Sequence, residues 1–242
     1  MKILIIRHGD PDYENDTLTE KGWREAELLA QSLSKQNISS FYCSILGRAR
    51  DTLQPLLRQT GMTAQYFDWL REFNYVTVDH PYSPGHRWGV WDFMPSWWTQ
   101  HPSLAVADEW LEHPIIRESD VPAAHKAVCD GFDGILAQHG YCREGQIYRV
   151  TKSNHDTIAF VCHLGIEAVL MGHLLGTSPL IFSQGFGVVP SSVTTLISEE
   201  RQEGIAVFRC QTMGSVDHLT AAGEPLSFQG RFCECFSDDT RH

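Results

Sequence analysis

The stretch Met1-Lys2-Ile3-Leu4-Ile5-Ile6-Arg7-His8-Gly9-Asp10 decides the fold of this chain. Its four consecutive apolar residues, three of them β-branched, predict a strand that is buried in a sheet. This strand leads directly into Arg7 and His8, and Gly9 allows the chain to turn away. Because ligands of open α/β sheets bind at the carboxyl ends of the strands, the tip predicts a site for an anion such as phosphate. The alternative is a strand that ends in two ordinary surface residues.

Length and charge limit the classes of protein to consider. The chain has 242 residues and a formal net charge of −11 at pH 7. This length suffices for one large domain with a full hydrophobic core. The acidic balance argues against nucleic acid or an anionic membrane surface as the main partner. The first apolar run is too short for a signal peptide, the seven cysteines are scattered, and we therefore expect a cytoplasmic protein with free thiols.

Strand and helix patterns alternate along the first third of the chain. A helix pattern follows Thr19, a candidate N-cap, and strand patterns occupy Ser39–Ile45 and Ala64–Trp69. The order β-α-β-α-β predicts parallel strands with right-handed crossovers. Further patterns predict a helix at residues 121–136, a polar loop or β-turn excursion at 143–156, and strands at 157–162, 192–197 and 205–210. The fold class is therefore α/β: a three-layer α/β/α sandwich with a mostly parallel central sheet of about six strands.

The composition changes between about residue 77 and residue 117. Five of the seven tryptophans lie in this segment, together with five prolines. Such a segment is too aromatic for a disordered linker. We expect a cap, partly helical around Gly89–Gln100, that is inserted into a single domain over residues 1–242. Its rings would form a small satellite core, a wall against the substrate, or both.

Two predicted strands end in histidine, His8 and His163. In a parallel sheet both tips lie at the same edge, so the two imidazoles should approach each other. The helix pattern after His163 would add backbone N–H donors for an anion.

Five segments carry a family resemblance. They resemble, in order, the motifs of the histidine phosphatase superfamily in its phosphoglycerate-mutase-like branch. The segments are Arg7-His8-Gly9, Leu18-Thr19-Glu20-Lys21-Gly22, Ser44 to Thr52 (Ser-Ile-Leu-Gly-Arg-Ala-Arg-Asp-Thr), Leu70-Arg71-Glu72 and Val161-Cys162-His163-Leu164-Gly165.

The resemblance implies a role for each of five residues. His8 would attack phosphorus as the nucleophile, and His163 would stabilise charge in the transition state. Arg7 and Arg48 would hold the phosphoryl oxygens, because a guanidinium presents a flat fork of donors. Glu72 would protonate the leaving oxygen and then activate water.

The spacing of the residues leaves two assignments open, namely the second phosphate-binding arginine and the acid. Arg50 competes with Arg48, since residues two apart on a helix point to different faces. Asp10 and Glu14 compete with Glu72 as the acid. The motif match favours Arg48 and Glu72.

The residues after Gly9 depart from the mutase pattern. Mutases of this family carry a hydroxyl residue and Trp-Asn in the loop where this chain has Asp10-Pro11-Asp12-Tyr13-Glu14-Asn15. We therefore expect a metal-independent phosphatase that acts on a small phosphomonoester, without a cofactor. The alternatives are a phosphoglycerate-mutase-like phosphotransferase and a catalytically weak phosphate-ester binding protein. A homo-oligomer is compatible with the sequence, and no pattern identifies the substrate.

Overall fold

The computed structural model describes residues 1–79, 85–231 and 233–238. Its strands are β1 (Lys2–Arg7), β2 (Pro11–Asp12), β3 (Thr17–Leu18), β4 (Ile38–Ser44), β5 (Ala64–Phe67), β6 (Thr77–Asp79), β7 (Arg87–Gly89), β8 (Tyr141–Glu144), β9 (Ile147–Val150), β10 (Thr157–Cys162), β11 (Val193–Gln202) and β12 (Ile205–Ser215). Its α-helices are α1 (Glu20–Leu33), α2 (Gly47–Thr60), α3 (Pro95–Trp98), α4 (Pro114–Arg117), α5 (Val121–Gln138), α6 (Leu164–Leu175), α7 (Pro179–Gly185) and α8 (Asp217–Ala222). None of the described helices is long and apolar enough to cross a membrane.

The central sheet has eight strands in the order β5-β4-β10-β1-β11-β12-β9-β8. β1 lies at its middle, parallel to β10 on one side and antiparallel to β11 on the other. Ile3 and Ile5 pack into the core with α5 and α6, whereas Leu4 and Ile6 pack against α1 and α2. This alternation follows from the two-residue period of a strand. The predicted three-layer α/β/α sandwich is confirmed.

The sheet is larger and less parallel than the sequence indicated. β5, β4, β10 and β1 are parallel, and the remaining neighbours pair antiparallel. The additional strands are β8 and β9, a hairpin that begins just before and partly occupies the segment 143–156, which was predicted to be a polar loop or β-turn excursion. Its inward residues Tyr141 and Tyr148 are 2% and 1% exposed. Arg149 and Glu144 point outward and form an ion pair, so the apolar signal is confined to one face of a short strand pair.

The structure confirms the N-cap that was predicted for the first helix. The Thr19 hydroxyl accepts a hydrogen bond from the backbone N–H of Gly22, as expected of an N-cap. In its described residues, the expected cap contains the short helices α3 and α4, the antiparallel ribbon of β6 and β7, and several 3-10 turns. Within it, residues 80–84 lie outside the described residues. Trp110, 3% exposed, packs into the same core as the sheet and α5.

Candidate active site

The two histidines meet at the carboxyl edge of the sheet. β1 and β10 are paired in register up to Arg7 opposite Cys162, so the next residue of each strand is a histidine. The backbone N–H of His8 donates to the carbonyl of Cys162 at 3.0 Å, which fixes the two tips side by side. The imidazole centroids of His8 and His163 are 5.0 Å apart, and both side chains are buried.

Hydrogen bonds and burial determine the tautomer and the protonation state of the His8 ring. Its Nδ1 lies 2.7 Å from the carbonyl oxygen of Gly9. A carbonyl only accepts, so Nδ1 carries the proton and Nε2 has the free lone pair. Burial, and then the positive charges of Arg7 and Arg48, hold the pKa of His8 well below its ordinary value. His8 is therefore a neutral imidazole with Nε2 available as a nucleophile.

His163 is neutral for the same reason. Burial, followed by the proximity of His8 and the two arginines, holds its pKa well below 6.5. Its Nε2 is 2.8 Å from the hydroxyl of Ser44, at the end of β4. Its Nδ1 has no hydrogen-bond partner among the described residues. Ser44 thus orients the ring from a third strand tip.

Two buried guanidiniums flank the histidines. Arg7 donates from Nη1 to the carbonyl of Val188 at 2.6 Å, and burial lowers the pKa of its guanidinium. Arg48, 7% exposed, donates from Nη1 to Asp16 at 2.6 Å. Arg50 is exposed and lies over the ring of Tyr66 instead. Of the two candidate arginines on α2, the structure brings Arg48 to the site.

Glu72 is the fifth of the expected site residues. Its Oε1 accepts hydrogen bonds from the backbone N–H groups of Phe73, at 2.8 Å, and Gly165, at 2.9 Å. Desolvation raises the pKa of the Glu72 carboxyl, although these two bonds and the arginines oppose the shift. The rival Asp10 is bonded to the hydroxyls of Thr19 and Ser227. The other rival, Glu14, is exposed.

Several supporting groups were not singled out from the sequence. The backbone N–H of Gly9 donates to Thr52 Oγ1 at 2.8 Å, and the N–H of Asp10 donates to Glu25 Oε2 at 2.8 Å. A Cβ at Gly22 would lie 2.1 Å from the Asp10 carbonyl oxygen, so only glycine allows α1 to approach this loop. These contacts hold the turn after His8 rigidly. Thr52 and Gly22 belong to the quoted motifs, whereas Glu25 gives no signal beyond helical spacing.

The segment from residue 224 to residue 231, which we call the C-terminal strap, covers the site. Glu224 pairs with Lys21 at 3.2 Å, and Ser227 donates to Asp10. A Cβ on Gly230 would lie 2.8 Å from a terminal nitrogen of Arg7, so the strap passes directly over this guanidinium.

A cleft of about 410 Å³ opens beside the strap. Its lining includes Leu164, the residue after His163, together with Trp91, Phe186 and Gly230. A Cβ at Gly165 would lie 2.7 Å from both Trp91 and Glu72, so both side chains pack against Gly165. The aromatic segment therefore contributes one ring to the cleft, while Trp110 belongs to the core.

Fold and site together define an α/β protein with two buried histidines and two buried arginines at the carboxyl edge of its sheet. The family model described as histidine phosphatase superfamily (branch 1) matches residues 3–114. All five expected side chains, including His163 beyond that match, meet at one edge of the sheet. Over residues 3–114 the chain is therefore similar to the histidine phosphatase superfamily.

Curated relatives carry phosphatase and mutase names. A probable phosphatase of Schizosaccharomyces pombe is 36% identical over 89 residues, which are 33% of this chain and 43% of that protein. Phosphoserine phosphatase 1 of Hydrogenobacter thermophilus is 22% identical over 85% of this chain and 90% of its own length. A 2,3-bisphosphoglycerate-dependent phosphoglycerate mutase of Thermoplasma acidophilum is 43% identical over 22% of this chain and 32% of its own length. The matched segments of the first and third therefore span less than half of those relatives.

Solved structures share the fold. A mycobacterial glucosyl-3-phosphoglycerate phosphatase superposes with a TM-score of 0.57 at 18% identity, over 88% of this chain and 98% of its own. A phosphoserine phosphatase mutant from Entamoeba histolytica, in complex with phosphoserine, gives 0.58 at 20% identity over 90% and 98%. Most of these relatives and solved structures carry the names of phosphatases, and one carries the name of a mutase.

Proposed function

We propose that this chain is a metal-independent phosphatase that hydrolyses a small phosphomonoester through a phosphohistidine at His8. The observation that carries the proposal is a pair of buried, neutral histidines, 5.0 Å apart, flanked by two buried guanidiniums. Nucleophilic attack requires an unprotonated ring, and the low pKa of His8 provides one. The positive charge needed for a phosphoryl group comes from Arg7 and Arg48.

In the first step, the Nε2 lone pair of His8 attacks phosphorus and the bond from phosphorus to the leaving oxygen breaks. Glu72 donates its proton to that oxygen, a role that the raised pKa of its carboxyl favours. Arg7, Arg48 and His163 donate hydrogen bonds to the phosphoryl oxygens, where charge develops. The products are phosphohistidine, a free alcohol and a Glu72 carboxylate.

In the second step, water replaces the alcohol. The Glu72 carboxylate takes a proton from this water, whose oxygen attacks phosphorus. The bond from phosphorus to nitrogen breaks, His8 regains its lone pair, and inorganic phosphate leaves. Glu72 returns to its acid form, so the cycle is closed.

Two considerations favour hydrolysis of a small metabolite over mutase activity. The loop after Gly9 lacks the hydroxyl and Trp-Asn of the mutases. The relative with a mutase name matches only 22% of the chain, whereas the phosphoserine phosphatase matches 85%. The names of the structural relatives, which include phosphoserine and glucosyl-3-phosphoglycerate phosphatases, support a small phosphorylated substrate.

The test uses p-nitrophenyl phosphate in the presence of EDTA, with wild-type protein and His8→Ala. We expect phosphate release by the wild type and its loss in the variant. Labelled phosphate should appear on the wild-type protein in an acid-labile, alkali-stable form. Full turnover by His8→Ala would overturn the mechanism. Transfer of the label to an added alcohol, without inorganic phosphate, would instead indicate a phosphotransferase.

A further inference from the structure

We propose that Tyr13 is a further substrate-binding residue, whose hydroxyl donates a hydrogen bond to the phosphoryl group held by Arg7 and Arg48. The inference rests on the proposed function of the site. It concerns the loop from Asp10 to Thr17, the part of the sequence that departs from the mutase pattern.

The tip of this loop has a defined shape. β2 and β3 pair as a short antiparallel ribbon, and the residues between them form its turn. The Asp12 carboxylate accepts hydrogen bonds from the backbone N–H groups of Glu14 and Asn15, at 3.1 and 3.2 Å, and from the Asn15 side chain at 2.8 Å. Such side-chain bonds to the local backbone stabilise a turn. Tyr13 therefore projects from an ordered turn, although its side chain is 58% exposed.

Tyr13 lies beside Arg48 and near Arg7, the two proposed phosphate-binding arginines. The guanidinium carbon of Arg48 lies 5.4 Å from the centroid of the Tyr13 ring, within the range of a cation–π contact. Burial lowers the pKa of the Arg7 guanidinium, and the nearby Tyr13 side chain is among the groups that oppose this shift. A side chain that reaches both guanidiniums lies at the mouth of the space between them, where the phosphoryl group would bind.

The base of the loop is anchored to the helix that carries Arg48. Asp16 accepts from the backbone N–H of Gly47 at 2.7 Å and from Arg48 at 2.6 Å. Thr17 donates to Asp51 at 2.5 Å. A Cβ at Gly47 would lie 2.0 Å from the Asp16 carbonyl oxygen, so the loop and α2 are in direct contact. The anchoring keeps Tyr13 and Arg48 in a constant relative position.

A phenolic hydroxyl can both accept and donate. The Tyr13 side chain is close enough to Arg7 to affect the pKa of its guanidinium, which can only donate, so the Tyr13 oxygen would face Arg7 as an acceptor. The hydroxyl hydrogen remains available to a phosphoryl oxygen, and a hydrogen bond to a charged acceptor is stronger than a neutral one. The ring also shields the Arg48 guanidinium from bulk water, which strengthens its attraction for an anion.

The decisive variant is Tyr13→Phe, which keeps the ring and removes only the hydroxyl. Its matched control is Tyr66→Phe, because Tyr66 is also exposed and its ring lies 5.0 Å from Arg50, away from the site. For Tyr13→Phe we expect the inhibition constant of inorganic phosphate to rise about tenfold, with a similar loss of kcat/KM for p-nitrophenyl phosphate, as for one hydrogen bond to an ionic group. Tyr66→Phe should change neither value more than about twofold by the same reasoning. Wild-type values in Tyr13→Phe would overturn the proposal.

Binding of inorganic phosphate, followed as a rise in melting temperature, separates this inference from the proposed function. If the wild type binds phosphate without hydrolysing esters, a weaker rise in Tyr13→Phe still supports Tyr13 as a phosphate ligand. An equal rise in both proteins overturns the inference, whether or not esters are hydrolysed. No rise in the wild type overturns the binding role of Tyr13 as well.

Discussion

Glu167 offers a prediction whose size follows from its surroundings. It lies on α6, one turn beyond His163, and is 1% exposed. Its Oε1 accepts from the Thr194 hydroxyl at 2.5 Å, and its Oε2 has no hydrogen-bond partner among the described residues. Burial raises the pKa of this carboxyl from its ordinary 4.5 to about 7, against the opposing effects of Thr194 and Arg7. Glu167→Gln replaces it with a group of similar shape that cannot ionise.

The raised pKa makes stability depend on pH. Between pH 4.5 and pH 7 the folded protein holds a proton on Glu167 that the unfolded chain has released. The stabilising contribution of the neutral acid is thus fully present below pH 4.5 and is lost as the pH rises to about 7. The pKa difference of roughly 2.5 between the folded and the unfolded state, at about 1.4 kcal/mol per pH unit, gives about 3.5 kcal/mol in total. About 2.5 kcal/mol of it falls between about pH 5 and pH 8.

The assay is urea unfolding of wild type and Glu167→Gln at pH 5 and pH 8, followed by tryptophan fluorescence. The variant should gain about 2.5 kcal/mol relative to the wild type on going from about pH 5 to pH 8. Any loss of stability that the unpaired amide group causes is the same at both pH values, so it cancels in this comparison. Glu109→Gln, at an exposed position, is the control and should show no such pH-dependent gain. A difference between Glu167→Gln and wild type that is the same at both pH values would refute the reasoning.

Two further predictions concern the phosphate site. Arg48→Ala should lower kcat/KM for p-nitrophenyl phosphate by about a hundredfold or more. Its control, Arg50→Ala, should keep kcat/KM within about twofold of the wild-type value. Equal losses in the two variants would contradict the placement of Arg48 at the site. Gly230→Ala should raise KM several-fold, because its Cβ would press on the Arg7 guanidinium. Gly223→Ala is the control, because this glycine also has a positive φ but no atom lies within 4 Å of the Cβ that alanine would add. If Gly223→Ala raises KM as much as Gly230→Ala does, backbone strain alone explains the effect.

The parts of the fold that could be predicted are those written in local patterns. The run Ile3–Ile6 is apolar on both faces because helices cover both sides of β1. That pattern, together with the similar run before His163, correctly predicted two strand tips at one edge. The hairpin of β8 and β9 was not predicted, because its strands expose one face at the end of the sheet. The outward Arg149 and Glu144 give this segment a composition that is typical of loops.

The remaining site contacts depend on pairs that are distant in sequence. Gly230 meets Arg7 across more than two hundred residues, and Val188 meets Arg7 across 181. Neither Gly230 nor Val188 stands in a motif, so no local pattern could point to it. The contacts of Tyr13 are closer in sequence, but they depend on how the loop turns at Asp12, which composition alone does not determine.

A protein with a net charge of −11 can still bind a dianion, because the charges that matter are local. Exposed carboxylates more than about 8 Å away are largely screened at physiological salt. Within the site, both histidines are neutral and the raised pKa of Glu72 favours its uncharged acid. The two guanidiniums remain, and among the residues that the structure describes Asp16 is the carboxylate paired with one of them, Arg48. Burial has already removed water from Arg7, so a phosphoryl group that enters supplies the negative charge that this guanidinium lacks. The same burial that keeps His8, the proposed nucleophile, unprotonated thus favours an anion in the proposed site.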